Sequence, residues 1–173
     1  MKKNIKVVTI FIGCMLFRLL PLRAPNVEPI MASIMPISRK FGVLFTFLFG
    51  FLSIFLFDLI THFGSWTWIA GLTYGAIGAV SYLYFNKFQA SRKNFVLFAI
   101  FATIIFDLIT GVMFAPMFHE TMLTAFMLQI PFTALHLAGN IGFALTLSPV
   151  LNMWLAKEYV AKTNSSLVGL KRV

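Results

Sequence analysis

The sequence predicts an all-α integral membrane protein: one domain over residues 1–173, built as a six-transmembrane-helix bundle with both termini inside and a short, broken second helix. Three observations point there. Of the 173 residues, 60% are hydrophobic and 11% charged, whereas a soluble domain carries roughly 25% charged residues. Apolar runs recur at lengths near the ~20 residues that a membrane-crossing helix needs. The basic residues collect in alternate loops, which is the positive-inside pattern. Mean hydropathy is +0.90. Disorder, a disulfide scaffold and an ordinary cytosolic enzyme are excluded, and the single cysteine, Cys14, can form neither an internal bridge nor a Cys-based metal site. The net charge of +9 reads as topology rather than nucleic-acid binding, because so apolar a chain would not stay in solution to bind it.

The first helix covers about Ile5–Leu20. Lys2, Lys3 and Lys6 before an apolar run imitate a signal peptide, but the run ends Phe17-Arg18-Leu19-Leu20-Pro21 without a small-residue cleavage site. The second, Pro29–Ser38, is too short to cross unless Pro21–Glu28 dips inward as extended chain. Such irregular backbone needs protein or a cavity around it, and a short Pro-interrupted segment points to a transport site. The alternative is a plain outer loop with a short tilted helix. Helices follow at Val43–Thr61, Thr67–Phe85, Asn94–Gly111 and Pro131–Trp154, with Thr121–Gln129 as an interfacial lead-in to the last. In the fourth, Gly71, Gly75, Gly78 and Ala79 have the small-residue spacing that allows close helix contact.

Six crossings from an inner N-terminus place Lys2, Lys3, Lys6, Arg39, Lys40, Lys87, Arg92, Lys93, Lys157, Lys162, Lys171 and Arg172 inside. Only Arg18 and Arg23 then face outward. The acids are polarised oppositely: Glu28, Asp58, Asp107 and Glu120 belong to the outer half and Glu158 to the inner. Phe57-Asp58-Leu59-Ile60-Thr61 and Phe106-Asp107-Leu108-Ile109-Thr110 are identical, and Phe17-Arg18-Leu19-Leu20 repeats the pattern with the charge reversed, as in a repeated hairpin.

Ionisable groups within a span cost about 2.5–3.5 kcal/mol and usually pair or face a cavity. Arg18 is expected to pair with Asp58 or Asp107, either as a structural tie among helices 1, 3 and 5 or as the wall of an outward-facing pocket. Thr133, His136 and Asn140 share one face of the last helix and need hydrogen-bond partners. Trp66 and Trp68 read as an interfacial belt or as a platform for a flat ligand.

No H-E-x-x-H, G-x-S-x-G or Walker A pattern occurs. His62, His119 and Glu120 could meet Asp58 at a metal, but their spacing does not demand it. The expectation is therefore no metal, no cofactor and no enzyme activity.

Three stretches carry a family likeness: Arg18-Leu19-Leu20-Pro21 with Pro25-Asn26-Val27-Glu28-Pro29-Ile30; Gly64-Ser65-Trp66-Thr67-Trp68 with the Gly-rich 71–78; and Ile130-Pro131-Phe132-Thr133-Ala134-Leu135-His136-Leu137-Ala138-Gly139-Asn140. Over Arg18 to Leu151 the chain resembles the substrate-specific membrane subunit (S component) of energy-coupling factor (ECF) transporters. The resemblance implies a multi-pass protein of the bacterial cell membrane that captures a small polar micronutrient at its outer face. Its partners would be membrane lipid, a transmembrane coupling subunit and two ABC ATPases, with no nucleic acid. The implied pocket residues are Asn26, Glu28, Trp66, His136 and Asn140; the polar pattern adds Asp58, Asp107 and Thr133. The first helix carries Thr9-xxx-Gly13 where many S components have Ala-xxx-Ala, and a His-rich metal-type N-terminus is missing, which argues against nickel or cobalt. A structural scaffold of the rod-shape-determining MreD type, similar in size and hydropathy, is the competing class.

Overall fold

A computed structural model describes residues 3–22, 24, 26–119 and 121–170, with side chains for 4–22, 24, 26–117, 119 and 121–156. The side chains of Lys2, Lys3, Arg23, Glu120, Lys157, Glu158, Lys162, Lys171 and Arg172 lie outside the described residues. Among those described there are six α-helices and no strand: α1 (Lys3–Arg18), α2 (Ile30–Phe41), α3 (Val43–Ile60), α4 (Ser65–Lys87), α5 (Arg92–Phe114) and α6 (Met122–Leu170), with a 3-10 turn at Ala115–Phe118. Among the described residues, three segments are long and apolar enough to cross a membrane: Val43–Ile60, Arg92–Met117 and Met122–Ala156. Large apolar side chains such as Val8, Leu44, Leu83, Phe101 and Ile130 are exposed on the outside of the bundle. Surfaces of this kind mark membrane or protein contact.

The short helix is the hub. At 12 residues α2 is about 18 Å long, yet it touches all five other α-helices. Every residue from Ile30 to Ser38 is buried. Pro36 interrupts it, and a proline removes the N–H that would bond the carbonyl four residues earlier. That carbonyl belongs to Ala32, and the Ser148 hydroxyl on α6 donates to it at 2.9 Å. A buried backbone acceptor orphaned by Pro36 is thus satisfied from another helix. Further hydroxyls join α2 to its neighbours: Ser81 Oγ on α4 donates to Ser38 Oγ at 3.0 Å, and Cys14 Sγ on α1 lies 3.3 Å from Ser33 Oγ.

Chain entry into α2 is a turn rather than the extended run expected: the Val27 amide donates to the Ala24 carbonyl at 3.2 Å, and Pro21, Leu22 and Ala24 are exposed. Val27 lies against Gly139 in α6, so close that a Cβ on Gly139 would stand 3.2 Å from the Val27 Cα. Asn26 turns the chain with φ 59°, a left-handed conformation that Asn tolerates better than most residues. Only the end of the segment, Glu28 and Pro29, is buried in protein.

Helices α3 and α4 form a tight antiparallel pair, as the small-residue spacing predicts. A Cβ on Gly50 would come within 2.5 Å of the Tyr74 carbonyl oxygen. A Cβ on Gly78 would collide with the Thr46 carbonyl. Only hydrogen fits at these two positions. Phe51, Phe55, Phe63 and Trp68 cover the outside of this pair.

Four boundaries differ from expectation by three residues or more: α2 ends at Phe41 rather than Ser38, α6 ends at Leu170 rather than Trp154, and the end of α5 and the start of α6 are also displaced. The fifth helix does not stop at Gly111 but runs to Phe114, because the apolar run continues and the chain changes only at Pro116, inside the 3-10 turn. The stretch 121–129 is not a separate interfacial piece. It is the first part of α6, whose start is capped by Thr121 Oγ1 accepting from the Thr124 amide at 3.2 Å. Pro131 sits inside this helix.

Candidate functional site

Polar side chains from α1, α4, α5, α6 and the segment before α2 meet inside the bundle. Arg18, the last residue of α1, lies against α3: its Nη1 donates to the Ser53 carbonyl at 2.8 Å, and its guanidinium stands 3.8 Å from the Phe57 ring centroid. Its Nε is 3.0 Å from Glu28 Oε2. That contact is an ion pair without hydrogen-bond alignment, so Nε keeps a free donor. The expected partner, Asp58 or Asp107, is therefore wrong. Glu28 arrives on the segment before α2 beside the end of α1, while the other two acids are engaged elsewhere.

Asp107 on α5 is 3% exposed, and its Oδ1 lies 2.9 Å from Nδ1 of the buried His136 on α6. One turn further along α6, Asn140 Nδ2 donates to Thr103 Oγ1 at 2.8 Å. Tyr74 on α4 is fully buried, edge-on to Phe106, and its hydroxyl is within electrostatic reach of Glu28, Arg18 and Asp107. Phe106 in turn stands edge-on to the His136 ring. These contacts connect the cluster from Arg18 to Asn140.

The cluster is incompletely satisfied. Five buried atoms have no hydrogen-bond partner among the described residues: Arg18 Nε, Tyr74 Oη, Asp107 Oδ2, His136 Nε2 and Asn140 Oδ1. Each such atom costs about 1–3 kcal/mol when left unpaired, and unsatisfied groups concentrated in one place call for a specific explanation.

The other predicted residues are placed differently. Asp58 is half-buried and its Oδ2 accepts from Thr67 Oγ1 at 2.8 Å, which also accepts from the Gly64 amide. It anchors the α3–α4 turn, with Arg18 and Glu28 within electrostatic reach. Trp66, 37% exposed, folds over Gly64 and makes no ring contact with the cluster. Asn26 is half-buried and shapes the entry to α2. Thr133 is half-buried on the same helix as His136 and Asn140. It lines a cavity of about 380 Å³ between α5 and α6, together with Asp107, Gln129 and apolar residues including Ile104, Leu108 and Phe126.

The two Phe-Asp-Leu-Ile-Thr copies share one local feature and then diverge. Thr61 and Thr110 each donate back to the phenylalanine carbonyl four residues earlier, at 2.9 and 2.8 Å. One acid, however, caps a turn and the other is buried against histidine.

Tyr74, Thr103 and Ser53 were missed by sequence reasoning. Thr103, Asp107 and Thr110 recur at helical spacing on one face of α5, a signal that was legible. Tyr74 was masked by the Gly71–Gly78 run that reads as packing. No three His, Cys, Asp or Glu side chains among the described residues come together to hold a metal ion, and Glu120 lies outside them.

Compared with known proteins, the chain matches no family model, no curated protein and no solved structure.

Proposed function

We propose that the chain is a multi-pass protein of the bacterial cell membrane that captures a small polar solute, in the manner of an ECF-transporter S component. In this reading six helices cross with both termini inside, and the cluster lies in the outer half. α2 crosses with the help of the segment before it. The solute binds among Glu28, Tyr74, Asp107, His136 and Asn140, with Arg18 holding Glu28. A separate coupling subunit and ABC ATPases supply the energy, since the chain has no nucleotide-binding loop.

One observation carries the proposal: Asp107 Oδ2, His136 Nε2 and Asn140 Oδ1 are buried on α5 and α6 with no hydrogen-bond partner among the described residues, beside Arg18 Nε and Tyr74 Oη, which face Glu28 in poor alignment. A scaffold of the MreD type acts through its outer surface and gains nothing from such a cluster, whereas a bound solute would satisfy it. The family assignment rests on the sequence resemblance.

The test is affinity purification of the full chain in mild detergent, with mass spectrometry of co-purifying small molecules and proteins. A bound micronutrient and ATPase partners are expected. Glu28→Gln, which keeps the side-chain size, and Asn140→Ala should fold and lose the small molecule. Cell-wall elongation proteins in place of ATPases, with no small molecule, would favour the scaffold.

A further inference from the structure

The hydrogen-bond inventory of the cluster selects a chemical class of solute. Thr103 Oγ1 already donates to the Ala99 carbonyl at 2.7 Å, so towards Asn140 it can only accept. The Asn140 amide must therefore present Nδ2 to it, and the atom left unpaired is the acceptor Oδ1. Asp107, when ionised, can only accept, so the proton in its contact with His136 sits on Nδ1. In the neutral imidazole this makes the unpaired Nε2 an acceptor too. Asp107 Oδ2, His136 Nε2 and Asn140 Oδ1 then form a run of acceptors across α5 and α6.

Charge points the same way. The Arg18 cation is matched by Glu28. With Asp107 ionised and His136 neutral, the same assignment leaves the pair one buried negative charge, which is costly unless compensated. Asp107 is also the residue shared by the cluster and the 380 Å³ cavity between α5 and α6. That volume is within the usual range for small-molecule sites, roughly 300–1,000 Å³. Apart from Asp107, Gln129 and Thr133, the cavity wall is apolar.

We propose that the solute is a small organic cation bearing N–H donors, such as an ammonium, an amidinium or a protonated aminoheterocycle. Its charged end bonds Asp107 Oδ2, and its apolar body fills the α5–α6 cavity. This deepens, and rests on, the solute-binding reading above. A protonated His136 would instead make the pair neutral and suit an anionic or neutral solute, so the opposite chemistry is the natural competitor.

The experiment is calorimetric titration of the full chain in lipid nanodiscs with matched probes: 2-phenylethylamine and benzamidine as cations, 2-phenylethanol as the neutral isostere and phenylacetate as the anion. Small molecules that co-purify are identified in parallel. The cations should bind at least about tenfold more tightly than the alcohol or the acid, the size of one good charge-assisted contact. Asp107→Asn, which keeps the side-chain size, should weaken cation binding by at least about tenfold. Ala134→Phe fills the cavity from an exposed wall position, and should block binding in a protein that melts normally. Equal or better binding of the alcohol or acid, or a co-purifying anion or neutral compound, overturns the cation assignment and leaves the solute-binding reading standing. Cation binding that survives both variants overturns the site. If no probe binds and no small molecule co-purifies, both readings fall.

Discussion

Ser148→Ala removes one hydroxyl and should cost far more than a surface serine would. Ser148 is fully buried, and its Oγ donates to the Ala32 carbonyl at 2.9 Å. Pro36 has no N–H to offer that carbonyl, and Ala32 is itself fully buried, so no water replaces the lost donor. The expected penalty is that of a buried, unsatisfied backbone acceptor, about 1–3 kcal/mol. For a chain of this size that lowers the melting temperature by roughly 2–12 °C, at 2–4 °C per kcal/mol. The informative assay is a double-mutant cycle with Pro36→Ala, read by thermal melting of purified protein. In the Pro36→Ala background an amide N–H returns four residues after Ala32, so Ser148→Ala should cost less than about 0.5 kcal/mol more. The coupling should therefore be about 1–2 kcal/mol. Equal Ser148→Ala penalties in both backgrounds would refute the compensation argument. They would leave Ser148 as an ordinary packing residue.

Four further outcomes are expected. Gly78→Ala should destabilise by about 1–3 kcal/mol, because its Cβ collides with the Thr46 backbone and α3 must move off α4. Gly142→Ala, with open space around it, should be neutral or slightly stabilising in the same melting assay. Arg18→Met strands the buried Glu28 and should cost about 3–5 kcal/mol, with Arg18→Met/Glu28→Gln recovering part of the loss. Asn140→Leu should change stability by no more than about 2 kcal/mol, since Thr103 keeps its bond to Ala99. It should abolish solute retention in the mass-spectrometric assay.

Much of the helical layout was readable because apolar runs and turn residues are local signals. The α3 and α4 boundaries fall within two residues of expectation, and the glycine spacing foretold their close contact. Helix ends were harder where the terminating signal was ambiguous. Gly111 looked like a stop in α5 but lies within its last turn against Gln129, and Pro131 looked like a start but lies within α6. The candidate site was half legible. Buried ionisable and amide groups in an apolar chain stand out by cost alone, so Glu28, Asp107, His136 and Asn140 could be chosen from the sequence.

Which of these groups meet is another matter. The identical segments around Asp58 and Asp107 carry no instruction that one acid caps a turn at Thr67 and the other faces histidine. Nor does the sequence around Arg18 say that Glu28, at the buried end of the segment before α2, reaches it first. Local chemistry thus determined the helices, their apolar outside and the list of polar groups inside. Pairing, tautomer and the set of atoms left without partners depend on helix rotation and on the depth of the segment before α2. Those are set only when the other five helices pack around that short central helix, because contact free energies depend on distances that no single helix defines.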